Sequence, residues 1–102
     1  MSKKEHDMSN DETPPEFWER ADQVIALANE QVADSTVGKV SSSLLYAAAR
    51  FNSFNVASLA DSAEEMKSDK EEAIKYFTDQ YKKMLIENLD DYIENFEKYK
   101  RK

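Results

Sequence analysis

Cysteine is absent from the 102-residue chain. That excludes disulfides, zinc–thiolate centres and thiol catalysis. The single histidine is His6, within a polar N-terminal stretch. Without a second histidine or a cysteine, the common nucleophile–base pairs and the Glu-x-x-His pairs of di-iron bundles cannot be assembled. One glycine and two prolines leave few sites for tight turns, which argues against a strand-rich fold. There is no phosphate-cradling glycine loop and no dinucleotide fingerprint. The expectation is a protein with no catalytic residues, no metal and no cofactor.

Long apolar runs are also missing. Nothing approaches the ~18 residues a membrane span requires, and MSKKEHDMSNDET has no apolar stretch after its lysines, unlike a secretory signal. The net charge of −7 repels phosphate backbones and anionic lipid, so no nucleic acid and no membrane are expected as partners. Together these features suggest a cytoplasmic location.

What the chain does have is helical periodicity. Residues 1–12 are polar and aperiodic, and are expected to form a disordered tail ahead of a single helical domain over 13–102. Thr13-Pro14-Pro15-Glu16 carries the marks of a capping box with proline at the first helical position. Phe17, Ala21, Val24, Ala28 and Val32 then fall on one stripe, predicting a helix over 14–33. A sharp connection is expected around Gly38. A second helix over 38–60 carries Val37, Val40, Leu44, Ala48, Phe51 and Leu59. Ser62 and Ser68 each begin a capping-box pattern. The spacing therefore predicts a short helical turn near 62–67 and a main helix over 69–100. The fold class is all-α: an antiparallel bundle of three main helices with a long C-terminal helix.

The second helix mixes small and polar residues into its apolar pattern, as KVSSSLLYAAARFNSFN. Small residues let helix backbones approach closely. Asn52 and Asn55 lie on or beside the apolar stripe, where an unpaired amide costs ~1–3 kcal/mol. They are expected to be buried and to set register, as polar core residues do in coiled coils. The alternative is that they line a ligand pocket with Asn29, Gln31 and Arg50. Asn29 and Gln31 are otherwise expected to cap the end of the first helix.

The stripe of the last helix runs Ile74, Phe77, Tyr81, Met84, then slips by one residue to Leu85, Leu89, Tyr92, Phe96 and Tyr99. A slip of this kind signals a kink or a new partner. At 1.5 Å per residue the helix spans ~48 Å, against ~30 Å for the others. Leu85, Leu89, Tyr92, Ile93, Phe96 and Tyr99 thus lack an intrachain partner and form a candidate homodimer interface. The competing expectation is a kink near Asn88 to Asp91 that folds the end back. ENLDDYIENFE, over Glu87 to Glu97, has five acids and no base. It is expected to be a solvated face, with a docking surface for a basic partner or a weak divalent-ion site as the sharper alternatives, the latter opposed by the absence of an EF-hand loop's alternating oxygen ligands and central glycine.

FWERAD, IALANEQ, GKVSSSLLYAAARFN, YFTDQY and ENLDDYI together resemble a family of small bacterial proteins known only as a domain of unknown function. The resemblance covers Phe17 to Tyr99, with YAAARFN its most specific segment. It implies a short, mostly helical, stand-alone bacterial domain, and it brings no activity, cofactor or site residue. Two functional classes follow from the residues: a non-enzymatic interaction or structural protein that self-associates or takes an unknown protein partner, and a small-ligand-binding bundle using buried Asn and Tyr side chains.

Overall fold

The computed structural model describes residues 14–100. The expected tail, His6 and the Thr13 cap lie outside the described residues. Four helices follow in order: α1 (Pro15–Val32), α2 (Val37–Leu59), α3 (Ala63–Glu94) and α4 (Phe96–Lys100). This is the all-α architecture expected, with three main helices, a long C-terminal one and a short fourth. The fourth helix stands elsewhere than expected, however. Residues 63–67 are the opening of a continuous α3, and the short separate helix is at the C-terminal end.

The reasons lie in the caps. Ser62 Oγ accepts a hydrogen bond from the Glu65 amide at 3.1 Å, and Glu65 Oε1 accepts one from the amide of Asp61, the residue before the cap, at 2.8 Å. Together these two bonds start α3 at Ser62. The second signal at Ser68 is then simply helix interior. Asn95 ends α3 because its φ of −113° and ψ of 28° leave the helical basin. Its side-chain amide donates to the Asp91 carbonyl at 3.1 Å, the acceptor its own backbone N–H uses at 3.0 Å. Such local bonding by asparagine competes with the helical ladder. The chain does not break at Asn88 to Asp91. Asn88 Nδ2 bonds back to the Met84 carbonyl at 2.8 Å and the helix continues through it.

Two further boundaries correct the sequence expectations. Pro14 is the N-cap of α1 and makes no side-chain cap bond, so this start rests on Pro15 and the Phe17 amide to the Pro14 carbonyl at 3.0 Å. Thr36, not the glycine, organises the start of α2. Its Oγ1 accepts from the Lys39 amide at 3.2 Å, as an N-cap does. Gly38 sits inside the first turn of α2 with no positive φ, so the tight connection is Ala33 to Thr36.

The chain divides into two units, one ending at Phe51 and one starting at Asn52, with the division inside α2. In the first unit Val40 is 7 % exposed and is the buried apolar residue among those described. Phe17, Ala21, Ala28 and Val32 are half-buried, so most of the expected α1 stripe is the covered side of that helix. Val24 of the same stripe is exposed. In the second unit the half-buried positions of α3 are Met66, Ala73, Tyr76, Phe77, Gln80 and Met84. They share one side of the helix at 100° per residue.

Candidate functional site

Coverage of α3 stops where its apolar stripe slips. After Met84, the next half-buried positions are Asn95 and Tyr99, and Leu85, Ile86, Leu89, Tyr92, Ile93 and Phe96 are all exposed. Leu89 is 53 % and Ile93 72 % exposed. At 100° per residue, the first five spread over about 120° of the helix surface, centred on Leu89. Glu87, Asp90, Asp91 and Glu94 lie about 100–160° away from Leu89 by the same rotation. The acidic run is therefore the opposite face of an amphipathic segment whose apolar side is exposed. Ile86, absent from the sequence-based interface, belongs to this face. Its i, i+3 and i+7 relation to Leu89 and Ile93 was the available signal.

The C-terminal end of this face is held by side chains. Tyr99 Oη donates to Asp91 Oδ2 at 2.6 Å, and Asn95 Nδ2 donates to Asp91 Oδ1 at 2.9 Å. The Tyr92 and Tyr99 rings stack with centroids 4.1 Å apart and planes 23° from parallel. Asp91 thus gathers both bonds and ties α4 to the last turns of α3. The bond to Asp91 raises the Tyr99 phenol above the ordinary tyrosine value, since ionisation would remove the donated proton and place two anions together. Of the six candidate interface residues, Tyr99 is thus engaged within its own chain by this hydrogen bond, and Tyr92 by stacking on it.

The polar candidates divide between the two units. Asn29, Gln31 and Arg50 are exposed in the first unit. In the second, Asn52 is half-buried and Asn55 exposed, so the expected burial of Asn55 is not met within the single chain. Along α2, Arg50 and Asn52 are about 160° apart, on opposite faces. The last turn of α1 is closed by backbone, not by Asn29 or Gln31. The amides of Ala33, Asp34 and Ser35 bond to the carbonyls of Glu30, Gln31 and Val32 at 3.1–3.2 Å. Tightened i to i+3 bonds of this kind satisfy the orphan carbonyls. Among the described residues, no group of three or more His, Asp or Glu side chains is placed to hold a metal ion. No helix among them is long and apolar enough to cross a membrane.

Similar proteins agree on the fold. A solved structure described as "NMR structure of the protein NB7890A from Shewanella sp" superposes with a TM-score of 0.69 at 39 % identity, over 83 % of this chain and 91 % of that one. No curated protein matches. The family model described as "Protein of unknown function (DUF3144)" matches residues 17–93, from the first aromatic of α1 to Ile93 on the uncovered face of α3. That span is most of the chain, and the protein belongs to the DUF3144 family.

Proposed function

We propose that this protein is a non-enzymatic helical interaction protein that self-associates as a homodimer. One observation carries the proposal. Among the described residues only Val40 is a buried apolar side chain, whereas large apolar residues are exposed on all three main helices. Ordering each residue costs ~1–2 kcal/mol of backbone entropy, and apolar burial is the main term that offsets it. One buried valine falls far short. Monomeric proteins also seldom expose apolar patches beyond a few hundred Å². A second copy supplies cover for such a face, because a two-fold axis pairs a surface with an identical one.

The absence of a histidine or cysteine from residues 14–100 supports the non-enzymatic part. Of the polar candidates for the small-ligand alternative, Asn29, Gln31, Arg50 and Asn55 are exposed and Asn52 is half-buried. Sedimentation equilibrium at micromolar concentration tests the proposal. The expected result is a species of twice 11.8 kDa, with a urea midpoint that rises with protein concentration. A stable folded monomer with a concentration-independent midpoint overturns it.

A further inference from the structure

The uncovered side of α3 has an internal symmetry. Leu85, Ile86, Leu89, Tyr92 and Ile93 stand at −4, −3, 0, +3 and +4 relative to Leu89. Reversing the helix direction about Leu89 returns the same apolar pattern. Leu85 comes opposite Ile93, and Ile86 opposite Tyr92. The charges are not symmetric about this point. Lys82 and Lys83 lie on the N-terminal side, exposed, and of the five acids of Glu87 to Glu97 four, Asp90, Asp91, Glu94 and Glu97, lie on the C-terminal side.

We infer that a second copy of this chain docks on this face with its α3 antiparallel, the two-fold axis passing at Leu89. This rests on the self-association proposed above and adds its surface and its direction. An antiparallel pair brings Lys82 of each copy level with Phe96 of the other. The lysine stem lies along the ring and its ammonium stays wet. Lys83 comes level with Asn95, beside the acidic Glu94. A parallel pair would instead set Lys82, which lies about 20° from Leu89 around the helix, against Lys82 of the other copy, and like charges facing one another in a seam are unfavourable. The five side chains expose on the order of 500 Å² per copy. Pairing them buries roughly 1,000 Å² in total, the lower bound for a specific interface. The bonds from Tyr99 and Asn95 to Asp91 hold the rim at Phe96 in place.

Single-cysteine variants test this cleanly because the chain has no cysteine of its own. The full chain would carry Leu85→Cys, Leu89→Cys or Ile93→Cys. Each is treated with a short bismaleimide matched to the ~8–10 Å between packed helix axes. Helical content by circular dichroism and mass by sedimentation are measured alongside. In the antiparallel arrangement Leu89→Cys links to itself. Leu85→Cys and Ile93→Cys link poorly alone, being ~12 Å from their own copies along the axis. Mixed, those two give the crossed product in at least fivefold excess over either self-product. Efficient self-linking of all three positions, with no preference for the crossed product, overturns the antiparallel direction and leaves self-association standing. A dimer that links at none of them overturns the surface. A monomer overturns both proposals. As a variant with no core change, Lys82→Glu with Lys83→Glu should weaken the dimer at least tenfold at low salt, and by less at high salt. An unchanged dissociation constant overturns the antiparallel pairing.

Discussion

Tyr99 and Asp91 are joined by a 2.6 Å hydrogen bond across the junction of α3 and α4, eight residues apart in sequence. A straight helix places i and i+8 two turns apart, so the bond needs the departure from helical dihedrals at Asn95. The junction is thus a built feature, in which a residue outside the helical basin and a long side chain act together.

Its pH response has a defined sign. The Tyr99 phenol is raised above its ordinary value by the bond to Asp91. The folded chain therefore holds this proton more tightly than the unfolded one. The stabilisation is complete below the ordinary tyrosine value of ~10, and is lost as pH rises through the raised folded value. The α3–α4 junction should be insensitive to pH across the neutral range and should loosen only in strong alkali. Ultraviolet titration, with Tyr99→Phe as the difference standard, should place this phenol above the ordinary value. Tyr99→Phe should speed amide exchange at residues 96–100 and leave that of α1 unchanged. A Tyr99 step at or below the ordinary value would contradict the bond.

Ser62 holds the start of α3 through the Glu65 amide. Ser62→Ala should cost about 0.5–2 kcal/mol, measured by urea denaturation, because a first-turn N–H loses its acceptor. Glu65→Ala should cost less, since the Asp61 amide it bonds is exposed and water replaces the carboxylate. An unchanged midpoint for Ser62→Ala would show that the helix starts at the second signal after all.

Gly38 lies in the first turn of α2, and a Cβ added there meets nothing within 4 Å. Its φ is not positive. Gly38→Ala should stabilise by about 0.4–1 kcal/mol, mainly by narrowing the unfolded ensemble. A loss of stability on the same substitution would mean that this turn is covered in the assembled protein.

Asn55 is exposed on α2. Asn55→Asp should change stability by no more than ~0.5 kcal/mol, as surface substitutions do. A loss of several kcal/mol would reveal a buried amide, because an unpaired buried charge is far costlier. The dimer interface would then have to extend to α2.

Much of this protein was determined by sequence alone. Helical class, the three main helices and most boundaries follow from periodicity and from caps, both of which are local. Phe17, Ala21, Ala28 and Val32 were correctly assigned to one covered stripe because i, i+4 and i+7 spacing survives any arrangement of neighbours. Even the slip after Met84 was legible, and coverage does end there. Tertiary structure decided the rest. Two capping signals of equal form, at Ser62 and Ser68, were separated only when Asp61 and Glu65 met in space. The break at Asn95 depends on Asn95 and Tyr99 both reaching Asp91, a convergence that helical spacing does not encode. Burial of Asn55 could not be inferred from its place on a stripe, because a stripe states which face is apolar and not what covers it. Covering is a property of two surfaces, and a single sequence describes one.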